Sequence, residues 1–191
     1  MHIDALDTPA LVIDLAIAEA NLRRAQDFAD GLGLKLRPHI KTHKLPYFAR
    51  RQIELGAAGI TCQKLGEAEV MADAGIADIF IPYNIVGAAK LERLRALHGR
   101  VALSVTADSA ATVDGYAGRF ADAGHPLPVL VECDTGGGRC GVQSPREALE
   151  LARRIEAAPG LAFEGLMTYP PRGRPEQVEA WLAEAVELLR A

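Results

Sequence analysis

Apolar residues follow two alternating rhythms along the chain. Short runs, several rich in Val and Ile and each bounded by turn residues, occupy positions 10–13, 34–40, 59–63, 78–82, 101–106, 129–134 and 161–169. Runs of this length and composition predict buried strands. Between them, apolar positions recur every three, four or seven residues, as one face of a helix requires. The helical sets are Leu15, Leu22, Ala25 and Phe28; Leu65, Val70, Met71 and Ala74; Val86, Leu91, Leu94 and Leu97; and Leu149, Ala152 and Ile155. A last one spans about 176–189 and carries Trp181. Ser144-Pro145 supplies an N-cap and a first-turn proline for the fourth.

Seven strand–helix units in strict alternation predict a parallel sheet with helices outside it. An open doubly wound sheet and a (β/α)8 TIM-type barrel share that pattern. The units repeat about every 27 residues, and eight of them would give roughly 215–250 residues, the usual barrel size. At 191 residues the chain reads as one strand short of closure. The expectation is a single α/β domain over residues 1–191, an incomplete barrel of about seven units.

Composition narrows the function. The net charge is −4 and 49% of residues are hydrophobic, so a general nucleic-acid binder, which needs a basic face, is not expected. No apolar stretch approaches the roughly 20 residues that span a bilayer, and the start of the chain has no signal-peptide pattern. Cys62, Cys133 and Cys140 show no CxxC spacing, which fits a reducing compartment and predicts neither a disulfide framework nor a cysteine-rich zinc site. A cytoplasmic enzyme-like domain without nucleic-acid or membrane partners is the expectation.

Two segments carry candidate chemistry. In Arg37-Pro38-His39-Ile40-Lys41-Thr42-His43-Lys44, a strand would point Arg37, His39 and Lys41 to one face. Lys41 would then lie at the C-terminal end of a parallel strand, where active sites of such sheets form. A desolvated lysine there can react with an aldehyde as a Schiff base. His43 and Lys44 read as loop residues. The second segment, Thr135-Gly136-Gly137-Gly138-Arg139-Cys140-Gly141, literally contains GxGxxG. It follows the sixth predicted strand rather than the first, and the next helix starts near Pro145, which argues against a dinucleotide fingerprint. Two readings stay open: glycines that admit a ligand close to the backbone while Arg139 offers a fork of donors to an oxyanion, or a flexible loop with an exposed arginine.

Taken in order, five motifs resemble a known group: Asp7-Thr8-Pro9-Ala10-Leu11-Val12-Ile13-Asp14; Arg37 to Lys44; Cys62-Gln63-Lys64 with Gly66-Glu67-Ala68-Glu69; Asp134 to Gly141; and Gly165-Leu166-Met167-Thr168-Tyr169. They resemble the D-threonine aldolase and D-serine dehydratase group of fold type III pyridoxal 5′-phosphate (PLP) enzymes, whose N-terminal domain is of the alanine racemase kind. The resemblance implies a (β/α)8 barrel followed by a β-rich domain. It implies that Lys41 matches the lysine joined to PLP as a Schiff base, that Arg139 matches the arginine at the cofactor's phenolic oxygen, and that Tyr169 lies beside the pyridine ring. Gln63 and His39 are implied pocket residues.

The activity so implied is that of a lyase acting on β-hydroxy-D-amino acids, as an aldolase or a dehydratase. A small-molecule D-amino acid is the expected partner, and a homodimer the expected assembly. A divalent metal, Mn2+ or Zn2+, is expected in the full-length family, with ligands outside this chain. A non-catalytic PLP carrier and an amino-acid racemase are the alternatives. The segment Met167-Thr168-Tyr169-Pro170-Pro171 departs from the Tyr-His-Gly type usual in the aldolases, which leaves the substrate open.

Overall fold

The structure, a computed structural model, describes residues 2–191. Five strands form one parallel sheet in chain order: β1 (Ile60–Thr61), β2 (Asp78–Ile81), β3 (Ala102–Ala107), β4 (Leu127–Cys133) and β5 (Leu161–Thr168). The helices are α1 (Leu15–Gly31), α2 (Pro46–Glu54), α3 (Leu65–Asp73), α4 (Ala88–His98), α5 (Ala110–Ala117), α6 (Pro145–Glu156) and α7 (Pro175–Arg190). A helix separates each neighbouring pair of strands, as parallel pairing requires. The sheet is open, with β1 and β5 at its two edges, and has the architecture of a partial barrel.

Strand alternation divides the sheet into two faces. Ile79, Ile81, Leu103, Val105, Val129 and Val131 are buried in one cluster with Leu94, Leu97, Val113, Leu151 and Ile155 of the covering helices. Each such side chain contributes roughly 1.5–3 kcal/mol when taken fully out of water. The opposite parity, Asp78, Phe80, Ser104, Pro128 and Leu130, is half-buried. The register places Thr61 beside Phe80 and Phe80 beside Ser104 on this second face.

Local signals act where the sequence predicts them. The Ser144 hydroxyl accepts the Glu147 N–H at 3.2 Å, with Pro145 in the first turn of α6. Buried Tyr116 donates its hydroxyl to the Thr106 carbonyl at 2.9 Å and accepts the Ile85 N–H at 3.0 Å, tying the loop after β2 to β3.

Two predicted strands do not form. Residues 10–13 find no neighbour to complete a ladder, and an apolar run without a partner for its N–H and C=O groups does not become a strand; Leu11 is 93% exposed. The predicted apolar face of α1 is left uncovered as well, since Leu15 and Phe28 are exposed and α1 buries Gln26 and Ala29 instead. The backbone of residues 34–40 pairs with the sheet at one isolated bridge, from His39 to Thr61. Pro38 lacks a donor there, and the chain turns into a 3-10 helix at Ile40–Thr42. Among the described residues no helix is long and apolar enough to cross a membrane.

Candidate active site at the C-terminal edge of the sheet

Because all strands run the same way, the loops after their C-terminal ends share one edge of the sheet. At the β1 side, the Thr61 N–H donates to the Pro38 carbonyl at 2.7 Å and docks the Arg37–Lys44 segment. Ile40 is fully buried, and the 3-10 turn around it sends Lys41 outward, so Lys41 is exposed. The desolvated lysine predicted from the alternation is therefore not found in this open sheet; the turn breaks the alternation on which that expectation stood.

The rest of the segment is held by polar contacts. His39 Nδ1 accepts the Lys41 backbone N–H at 3.3 Å. Burial, and then the Lys41 charge, push His39 below the ordinary histidine range. Glu67, at the start of α3 and 8% exposed, accepts the Gln63 N–H at 2.9 Å and pairs with the Lys44 ammonium at 2.8 Å. Burial opposes its ionisation, but Lys44 and the Gln63 N–H outweigh it and hold its carboxyl below the usual range. Lys44 is thus an ion-pair partner rather than a free loop lysine.

Arg37 is neutralised below this edge by a two-pronged bond to Asp78, at 2.6 and 3.1 Å. A Cβ on Gly59 would fall on the Arg37 guanidinium. The inward arginine is accommodated by a carboxylate and a missing side chain, and serves the scaffold.

The glycine-rich loop after β4 is shaped by one carboxylate. Asp134 Oδ1 accepts the N–H groups of Gly136, Gly137 and Gly138 at 3.0, 2.6 and 3.1 Å, and Oδ2 accepts that of Arg139 at 3.2 Å. Burial opposes the charge on Asp134, yet these amides hold its carboxyl below the usual range. Gly141 has φ +112°, and a Cβ there would lie 2.5 Å from the Asp134 nitrogen, so the loop closes only with glycine at that position. Thr135, fully buried, shares a 3.0 Å hydroxyl contact with Thr168 at the end of β5.

This geometry places Arg139 over the Tyr169 ring, 4.5 Å from its centre, a cation–π contact that orients the guanidinium. Both line a cleft of about 360 Å³ with Gly136, Gly137, Arg172 and Arg174. Arg139 and Tyr169 form one cluster, and His39, Lys41 and Gln63 another, at opposite ends of the strand order along the same edge. Cys62 and Cys133 are buried thiols pushed up to about 12 by burial, so neither offers a thiolate nucleophile.

Sequence reasoning passed over Glu132, which is 5% exposed in β4. Burial and the nearby Asp108 push its carboxyl up, while Arg139 and Cys140 pull it back. A single carboxylate inside the apolar run Val129-Leu130-Val131-Glu132-Cys133 was the available signal. Among the described residues no group of three or more His, Cys, Asp and Glu is arranged to hold a metal ion.

The family model for the alanine racemase N-terminal domain matches residues 13–190. The chain belongs to the alanine racemase N-terminal domain family. The D-threonine aldolase of Arthrobacter sp. is 46% identical over 164 residues, covering 86% of this chain and 43% of that protein. The 3-hydroxy-D-aspartate aldolase of Paracoccus denitrificans is 35% identical over 169 residues, covering 87% and 44%. The crystal structure of D-threonine aldolase from Filomicrobium marinum superposes with a TM-score of 0.86 at 39% identity, covering 98% of this chain and 54% of the other. The chain spans about half the length of the curated relatives it matches. The resemblance read from the motifs is borne out, and with it the partial-barrel fold and a place among fold type III PLP enzymes.

Proposed function

We propose that the chain forms the barrel half of a PLP-dependent lyase that acts on β-hydroxy-D-amino acids. The observation that carries this reading is the Arg139–Tyr169 stack at the same sheet edge as the Lys41 amine. A pyridoxal group needs an accessible amine, a donor for its phenolic oxygen and a flat surface, and this donor set supplies each. Lys41 would hold the cofactor through its amine, Arg139 would donate to the phenolic oxygen, and Tyr169 would flank the ring. When bound, the cofactor supplies an electron sink for a carbanion at the substrate Cα.

The chain's own residues prepare that chemistry. With Nδ1 accepting from the Lys41 backbone N–H, neutral His39 carries its proton on Nε2. Its lowered affinity for protons keeps a second positive charge away from Lys41. Asp134 fixes the four amides of the glycine loop, so Arg139 is oriented before any ligand arrives, which lowers the ordering cost of binding.

The test is borohydride reduction of the full chain after PLP addition, followed by peptide mapping. The expected adduct lies on Lys41 and is lost in Lys41→Ala; an adduct of equal yield in that variant sinks the assignment. Incubation of the PLP-loaded chain with D-threonine and D-serine, with and without Mn2+, is expected to release glycine from the first or ammonia from the second. Cofactor binding with neither product favours the carrier reading, and interconversion of enantiomers favours a racemase.

A further inference from the structure

We infer that the Glu67–Lys44 pair decides which of two neighbouring amines meets the cofactor aldehyde, withholding Lys44 and leaving Lys41 to react; this rests on the lyase reading above. The two lysines stand three positions apart on one turn, and both are exposed, so exposure does not choose between them. Their partners do. Among the described residues Lys44 alone of the five lysines lies within 4.0 Å of a carboxylate, at 2.8 Å from Glu67 Oε1. Lys41 is engaged through its backbone, by the 3.3 Å bond to His39 Nδ1.

The pairing is built into the chain path. Lys44 has φ +55° and is the only non-glycine among the described residues in the left-handed region. Its N–H and that of His43 both donate to the Ile40 carbonyl, at 2.7 and 3.2 Å, which closes the turn. A glycine would adopt this conformation freely. A lysine keeps it where its surroundings offset the strain, and the contact with Glu67 is what this site offers. Glu67 is 8% exposed. Its Oε2 accepts the Gln63 N–H at 2.9 Å, which serves the start of α3, where the N-cap Lys64 makes no side-chain bond. That capping role needs one oxygen and no cation. The other oxygen faces the ammonium, and a buried carboxylate stripped of its cation is strongly disfavoured.

The consequence is chemical. To join an aldehyde, an amine nitrogen brings a lone pair to the carbonyl carbon; a C=N bond forms, the C=O bond breaks, and water leaves with that oxygen and two protons from the nitrogen. Lys44 can do so only by giving up its ammonium form and abandoning Glu67. Lys41 abandons no carboxylate. Glu67 and Lys44 are thus positioning residues, and the same pair pins the turn that carries Lys41 to α3.

The test incubates the full chain and Glu67→Gln with PLP, reduces each with borohydride and maps the adducts by tandem mass spectrometry. Glu67→Gln keeps an oxygen for the Gln63 N–H and loses the charge, with circular dichroism reporting its fold. The adduct on Lys41 is expected to exceed that on Lys44 by about tenfold or more in the parent, and by about threefold or less in Glu67→Gln. Lys41→Ala is expected to leave Lys44 unlabelled, and Lys41→Ala/Glu67→Gln to label it. Trace acetic anhydride without PLP reads the two amines independently of any cofactor site: Lys44 of the parent is expected to be acetylated about tenfold more slowly than Lys41. Equal acetylation of the two in the parent overturns the inference, whether or not the variant folds. An unchanged adduct ratio in the folded variant also overturns it and leaves the lyase reading standing. PLP on neither lysine of the parent removes the lyase reading, and the acetylation ratio then decides this inference alone.

Discussion

Arg139 and Tyr169 lie 30 positions apart in the sequence, yet the guanidinium carbon sits 4.5 Å from the ring centre. The contact joins the loop after β4 to the end of β5. Removing the ring frees the guanidinium without changing its charge. Tyr169→Leu is expected to weaken PLP binding by about three- to tenfold, the equivalent of roughly 1 kcal/mol of cation–π energy, read from absorbance titrations. Tyr169→Phe keeps the ring and is expected to stay within about twofold.

Asp134 is the single acceptor for four loop amides. Asp134→Ala leaves these donors without their partner and is expected to cost about 2–4 kcal/mol in urea unfolding, since bonds to a charged acceptor contribute about 1.5–3 kcal/mol each before water replaces part of them. Asp134→Asn retains one acceptor oxygen and is expected to cost less.

His98 is 6% exposed, stacked on His125 at 4.1 Å, and its Nδ1 is buried without a partner. Burial lowers its pKa from 6.5, and the His125 carbonyl only partly restores it. The unfolded chain therefore takes up this proton first. The stability contributed by neutral His98 is complete above pH 6.5 and is lost as pH falls toward the folded value. The slope is at most about 1.4 kcal/mol per pH unit for one group. Melting temperatures of the parent are expected to fall below that pH, and those of His98→Gln to fall less steeply.

Asp78 neutralises Arg37 on the half-covered face of the sheet. Asp78→Ala is expected to destabilise by about 1–2 kcal/mol, more than an exposed pair, because the bond is bidentate and partly shielded from water. Adding Arg37→Ala removes the uncompensated charge, so the double variant is expected to be more stable than Asp78→Ala alone. Urea midpoints of the four proteins complete the cycle.

The later half of the fold is legible because its signals are long and mutually consistent. The runs that become β2 to β5 supply both a buried parity and a neighbour, and α6 combines its Ser144 cap with Ala152 and Ile155 on one stripe. The first half is less so. Residues 10–13 and 34–40 have strand composition, but strand formation depends on a partner that composition does not encode. Helix α2 buries only Phe48 and Ala49, and α5 is small-residue-rich with Gly115 in its middle, so neither shows a clear apolar period. At the site, the motifs around Lys41, Arg139 and Tyr169 are local strings and can be read directly. Glu132 and the cleft that Arg139 and Tyr169 share come into view only when β4 and β5 lie side by side.

The in-order parallel arrangement of β1 to β5 makes each loop on the reactive edge the property of a separate strand–helix unit. One loop can be lengthened, recharged or exchanged while the hydrophobic layer beneath it keeps its shape. The short stretch from Pro170 to Arg174, hung between β5 and α7, is one such part: redrawing its five residues leaves the layer beneath it unchanged.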